Sequence, residues 1–179
     1  MVSNLRLNAD KFIIKPVSKW PFENGYRILD ESKNQILYAR EKGFFKQTLV
    51  VFESEKSTQA IFTMQRKGYL LTSAFLLTDF EGQLFGKFVR RMGLFSTSFE
   101  ILAGQSEMTH VGECKSLWFG KVRFYFGGEP AGIFYERVKL SPDWILDLSS
   151  DTSRQLDRRI AVAVALFLCQ KIRWSWSPG

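Results

Sequence analysis

Residues Ile160 to Cys169 read IAVAVALFLC, ten consecutive positions without a charged or amide side chain. Arg158 and Arg159 precede the run, and Gln170, Lys171 and Arg173 follow it. A helix that is apolar all the way round must be buried, in lipid or in protein. Crossing a bilayer takes ~20 apolar residues, and this run falls far short. The remaining shelter is protein. Everything upstream reads as short strands, so the chain must wrap strands around a greasy helix.

The helix has a recognisable start. Thr152 and Gln155 fit a capping box, in which hydroxyl and side-chain amide satisfy orphan backbone N–H groups. Asp151 and Asp157 lie near the positive end of the helix dipole, and Lys171 and Arg173 near the negative end. The pattern predicts a helix over about 153–172. Trp174 and Trp176 then read as a plug for one mouth of a barrel. The competing reading, an interfacial aromatic belt, is disfavoured by the shortness of the preceding run.

Strand signals occupy Lys11 to Leu148. In Val122-Arg123-Phe124-Tyr125-Phe126 the residues Val122, Phe124 and Phe126 share one face, with Lys121, Arg123 and Tyr125 on the other. Trp144, Leu146 and Leu148 share a face opposite Asp147. Such alternation indicates half-buried antiparallel strands. About a dozen are predicted, starting near residues 11, 26, 36, 45, 59, 70, 84, 97, 107, 118, 131 and 144. Turn chemistry separates them at Asp30 to Asn34, at Asp79 to Gly82 and at Gly127 to Pro130, where Asp, Asn and Gly tolerate left-handed backbone. Consecutive hairpins with one terminal helix exclude a βαβ pattern and hence a parallel sheet. The expected fold is all-β, a closed and mainly antiparallel barrel around a buried C-terminal helix.

The 179 residues suit one domain. Seventeen Phe and 15% aromatic residues favour strands. The net charge of +7 suggests nucleic acid, an anionic membrane surface, or simply a basic protein, since the cations are scattered. The two cysteines, Cys114 and Cys169, do not make a disulfide scaffold; Cys169 reads as a small core side chain. The stretch MVSNLRLNADKF has no apolar signal segment, so a cytoplasmic location is expected.

The order of these elements resembles the Tubby C-terminal-like superfamily, in particular the LURP-one-related proteins and the phospholipid scramblases. The matching stretches are Tyr26-Arg27-Ile28-Leu29-Asp30 leading to Ile36-Leu37-Tyr38-Ala39-Arg40-Glu41, then Phe75 to Asp79 with Gly82, then Phe85 to Arg91, and finally Arg159 to Ile172. Together they span Gly25 to Ile172. The resemblance implies a twelve-stranded barrel around a central helix. It also implies precedents: Tubby-like domains bind phosphoinositide headgroups through surface Lys and Arg, and scramblases act at membranes and respond to calcium. This sequence departs from the scramblases in having no Pro-rich region, no palmitoylated cysteine cluster and no acidic D-x-[DN]-x-[DN]-G loop. The LURP-one-like group fits best.

No catalytic motif stands out. His110 is the single histidine and reads as a structural or surface residue. With Cys114 it occupies i and i+4 of a strand, on one face but ~13 Å apart, too far for a nucleophile–base pair. A zinc site needs about four ligands, and no phosphate loop, dinucleotide fingerprint or G-x-S-x-G elbow is present. Asp79, Glu81 and Asp147 read as solubilising groups. A carboxylate pair assembled from distant residues stays open. The expectation is a non-enzyme without cofactor or metal.

The basic residues carry the functional expectation. Lys87 and Arg91 of GKFVRR share a face, with Arg90 on the other. Arg66 and Lys67 precede Gly68. Lys87 and Arg91, helped by Arg66, Lys67 and Arg90, would form a site for anionic phospholipid or phosphoinositide headgroups, peripheral at the inner membrane surface and acting as a monomer. The opposing reading is a structural or protein-interaction scaffold with incidental charge. Scramblase-like lipid activity is a minor alternative. So is nucleic-acid binding on Lys121, Arg123 and Tyr125. Gly43-Phe44-Phe45, between Lys42 and Lys46, reads as a membrane-inserting loop or as the start of a core strand.

Overall fold

The computed structural model of the chain describes residues 7–19, 23–42, 48–68, 73–92, 97–105, 107–116, 121–138 and 141–175. Twelve strands appear among them: β1 (Lys11–Lys19), β2 (Glu23–Leu29), β3 (Gln35–Lys42), β4 (Thr48–Phe52), β5 (Ala60–Lys67), β6 (Ala74–Asp79), β7 (Leu84–Met92), β8 (Thr97–Ala103), β9 (Thr109–Ser116), β10 (Val122–Phe126), β11 (Glu129–Val138) and β12 (Ser141–Asp147). Each pairs antiparallel with its chain neighbours, and β1 pairs with β12 to close the barrel. At the closing seam Lys11 stands directly across from Asp147 and binds it at 3.1 Å. Burial pushes the Asp147 carboxyl upward, but the hydrogen bonds from Ser149 and Lys11 outweigh it and hold the carboxyl below its ordinary range. Asp147 is thus a structural pairing residue rather than a solubilising group.

One helix, α1 (Arg158–Ser175), follows β12 and fills the lumen. The reason is geometric. Side chains fill a barrel of ~8 strands unaided. With ~4.8 Å between strands and a tilt of ~40°, twelve strands close at a radius on the order of 12 Å. Inward side chains then leave an axial space about as wide as an α-helix. The apolar run supplies that helix: Ile160 to Leu166 are each no more than 1% exposed. Small Ala161, Ala163 and Ala165 alternate with larger residues, and the wall accommodates the latter. A Cβ on Gly86 of β7 would lie 2.9 Å from Ile160 Cδ1. Phe167 packs at 4.3 Å, centroid to centroid, from Phe75, with Phe88 and Phe99 around it.

The helix begins later than its capping-box pattern predicts. Thr152 is exposed, and Arg154 adopts φ +51°. The Asp151 carboxylate instead accepts the N–H groups of Gln155 and Leu156, both at 3.1 Å, and so ties 151–156 into a loop. Asp157 caps the helix by accepting the N–H of Arg159 at 2.9 Å. Arg158, 9% exposed, bridges Asp151 at 2.7 Å and Asp10 at 3.2 Å. The helix start is therefore set by an ion-pair cluster that joins its first turn to the segment before β1. The side chains of Lys171, Arg173 and Trp174, and residues Gly43 to Lys46 and Trp176, lie outside what the structure describes.

The three predicted hairpin turns surround the mouth through which the helix enters, here the near mouth. Gly127 and Gly128, at φ +57° and +90°, form a two-residue turn of the kind that matches strand twist. Asp79 Oδ1 accepts the N–H groups of Glu81 and Gln83, and Asp30 Oδ1 accepts that of Asn34. The odd-numbered strands run toward the opposite, far mouth.

Alternation holds along most strands. Val122 and Phe124 are buried, Phe126 packs against the core, and Arg123 is exposed. It fails at His110. Ile101 pairs with Gly112 while Leu102 pairs with His110, so Val111 is an inserted bulge residue. His110 is consequently exposed on the outer wall and Cys114 is fully buried. The two do not share a face, contrary to simple alternation. Both cysteines are free and buried, Cys169 within the helix, and burial pushes both thiols up.

Candidate functional site

The five basic candidates sit at the far-mouth half of β5–β7, but they divide between two surfaces. Phe62, Met64, Phe75 and Phe88 line the lumen. Alternation from them puts Arg66 and Arg90 on the inner face and Lys67, Lys87 and Arg91 on the outer one. Lys87 stands between Leu76 and Leu102 across the ladder, and Lys67 is opposite Ala74, itself opposite Val89. From this register the outer cations lie ~12 Å apart, at ~4.8 Å per strand and ~3.3 Å per residue. They form a comb rather than a cup for one phosphate.

The outer comb is partly neutralised. Arg91 Nη2 meets Glu100 at 2.6 Å, with Nε at 3.0 Å on the same oxygen. On the neighbouring β9, Lys115 meets Glu113 at 2.6 Å, and the hydrogen bond to that carboxylate raises the Lys115 pKa. Arg91, Ser98, Lys115 and Arg123 lie in one cross-strand row, with Glu100, Glu113 and Tyr125 in the row beside it. Glu100 and Glu113, which would repel when directly opposed, are each offset by a cation of the next row. Such exposed pairs contribute ~0–1 kcal/mol each. Lys115 Nζ also lies 5.3 Å from the centroid of the Tyr125 ring. Tyr125 is the aromatic ring on which nucleic-acid stacking with Lys121 and Arg123 would rest.

The inner pair differs. Arg66 Nη2 donates to Ser73 Oγ at 3.0 Å, and Ser73 is 2% exposed. The Arg90 N–H donates to the Ser73 carbonyl at 3.0 Å, which places Ser73 next to Arg90 across the ladder. Arg90 itself is half-buried, and its Nε is buried without a hydrogen-bond partner. Among the described residues no carboxylate lies within ion-pair distance of Arg66, Lys67, Lys87 or Arg90, while Arg91 is occupied. The stacked Phe75 and Phe88 rings, 4.6 Å apart, adjoin Arg90 on the lumen side. Ser73 was not legible as part of this site. Its one signal is parity: it is a polar residue two positions before Phe75 on the inward side.

Elsewhere among the described residues, no group of three metal-ligating side chains assembles, and no helix is long and apolar enough to cross a membrane. The chain matches no protein-family model, no curated protein and no solved structure.

Proposed function

We propose that this chain is a non-enzymatic binding module of the Tubby C-terminal-like kind, nearest to the LURP-one-related proteins, which docks peripherally on anionic phospholipid or phosphoinositide headgroups at a cytoplasmic membrane surface. The family assignment rests on the stretches described above and on an architecture of the same type, twelve antiparallel strands around a C-terminal helix. One observation carries the ligand class: Arg66, Lys67, Lys87 and Arg90 have no carboxylate partner among the described residues and lie in one quarter of the barrel. Uncompensated cations at a surface attract an anionic leaflet at ~1 kcal/mol each.

A second reading is favoured by a separate observation. The Arg91–Glu100 and Lys115–Glu113 pairs neutralise the adjoining wall, as a scaffold with incidental charge would. Scramblase-like activity rests on the resemblance alone.

Co-sedimentation with neutral, phosphatidylserine and phosphoinositide vesicles at low and high salt separates the readings. Headgroup binding is expected to bring the protein down with anionic vesicles, less so at high salt, and to weaken in Lys87→Glu/Arg91→Glu. Failure to bind any anionic vesicle at low salt overturns the proposal in favour of the scaffold.

A further inference from the structure

The basic candidates divide by surface, and the two sets have different capacities. The outer cations are spaced too widely to share one phosphate, and Arg91 is already paired. The inner set has the opposite character. Ser73 links the two residues: its hydroxyl accepts from the Arg66 guanidinium and its carbonyl from the Arg90 main-chain N–H, both at 3.0 Å, which sets the Arg66 guanidinium about one strand spacing, ~5 Å, from the Arg90 backbone. A buried guanidinium N–H without a partner is a costly arrangement that folded proteins rarely retain. Arg90 Nε is such a group, and it belongs to a side chain with no carboxylate within reach among the described residues.

Both guanidinium groups remain protonated at any physiological pH. Arg66, held on the Ser73 hydroxyl, and Arg90, directly across the ladder from Ser73, carry planar forks on one inner wall, and such forks favour bidentate pairing with a tetrahedral anion. The aromatic wall of Phe75, Phe88 and Phe99 beside them offers no competing acceptor.

We propose that Arg66, Ser73 and Arg90 form a phosphate-binding site on the inner face of the barrel at its far mouth, with the guanidinium groups of exposed Arg66 and half-buried Arg90 as donors to the anion. This deepens the membrane reading, on which its lipid form rests. The inner trio reads the phosphate, while Lys67, Lys87 and Arg91 supply only salt-sensitive attraction. The shared chemistry is a phosphomonoester, carried either by a phosphoinositide headgroup or by a soluble phosphate compound.

The test uses the full chain. Calorimetric titration with myo-inositol trisphosphate and with inorganic phosphate probes the soluble source, and vesicles of phosphatidylcholine with phosphatidylinositol bisphosphate probe the lipid. The variants are Arg66→Gln, Arg90→Lys and the outer pair Lys67→Gln/Lys87→Gln, each with a melting curve. Arg90→Lys keeps the charge and removes the fork, so it remains informative where Arg90→Gln fails to fold. Losing one charge-assisted bidentate contact is expected to weaken phosphate binding about ten- to hundredfold. The outer pair should change soluble-phosphate affinity less than about threefold, while vesicle binding at low salt weakens and what remains becomes less salt-sensitive. Soluble trisphosphate binding that requires Arg66 and Arg90, without vesicle binding, supports the site and refutes the membrane reading. Vesicle binding lost in the outer pair but unchanged in Arg66→Gln and Arg90→Lys supports the membrane reading and overturns the site. No binding of trisphosphate, phosphate or phosphoinositide vesicles overturns both.

Discussion

The helix and the barrel wall approach most closely at Gly86 and Ile160, and that contact can be measured. Replacing Gly86 with Ala places a methyl 2.9 Å from Ile160 Cδ1, 3.1 Å from its Cγ1 and 3.2 Å from Leu77 Cδ1. Carbon atoms pack at ~3.5–4.0 Å, so the Ile160 side chain must yield by at least about 0.6 Å. Overpacking of this kind costs ~1–3 kcal/mol, and the low end applies because the nearest atom is the far end of a flexible chain. Ala also restricts the unfolded chain, which returns ~0.4–1 kcal/mol at a compatible backbone; Gly86 is not at positive φ. The net expectation for Gly86→Ala is a loss of roughly 0.5 kcal/mol, or ~1–2 °C in Tm. Ile160→Ala alone should cost ~2–5 kcal/mol as a cavity. In the double variant the new methyl occupies part of that cavity and meets neither Ile160 atom. The two effects should therefore combine to about 1 kcal/mol less than their sum. Urea titration followed by Trp fluorescence gives all four stabilities. Additivity within ~0.5 kcal/mol, or a Gly86→Ala that stabilises, would refute the packing of α1 against β7.

Three further expectations follow from burial and charge. Val164 is 0% exposed at the centre of the lumen, so Val164→Lys leaves an unpaired cation without water and should abolish cooperative folding; an unchanged melting curve would contradict it. Cys114 and Cys169 are both 0% exposed, so a thiol reagent should label neither in the native protein and both in denaturant. The Lys11–Asp147 pair makes stability pH-dependent at both extremes. The depressed Asp147 carboxyl contributes stability that is complete above its unfolded pKa of 3.8 and is lost as pH falls through the lower folded value. The raised Lys11 ammonium contributes below 10.5 and loses this as pH rises through its folded value. The stability difference between the native chain and Asp147→Asn should be flat across neutral pH and shrink in acid, as denaturation curves at several pH values would register.

The apolar run from Ile160 to Cys169 announced a buried helix because no arrangement other than full enclosure tolerates it. Strand parity was legible in Val122 to Phe126 because each residue faces either the lumen or water, and each of the three predicted hairpin turns carried its own Asp or Gly. The helix start was misread for a physical reason. Thr152 and Gln155 form a sound local signal, but Asp151 bonds to Gln155, Leu156 and Arg158 at once, and Arg158 also reaches Asp10. That cluster depends on residues remote in sequence, and a local pattern cannot register it. The bulge at Val111 likewise inverts parity without any Gly or Pro in the bulge position. The basic candidates were legible as a charge cluster and Arg90 as the odd face. The parity of Arg66 is harder to read, because Gly68 follows it closely and the apolar alternation of Phe62 and Met64 stops before it. Ser73 is invisible to a parity pattern that rests on apolar residues.

The lumen-filling helix follows all twelve strands in the chain, and this imposes an order in time. During synthesis β1 emerges first and its seam partner β12 last, so the sheet stands open, with unpaired edges, through most of translation. Closure before α1 arrives would enclose an empty apolar space, with Phe12, Phe62 and Phe134 left without the partners that bury them. The early hairpins therefore bury little until the final segment is made, and the β1–β12 seam, remote in sequence, forms slowly. For a cell making this protein, the vulnerable period is the wait for the last helix, when exposed strand edges invite association with other chains. A chaperone that holds the nascent hairpins should matter more to the yield of this barrel than to its stability once folded.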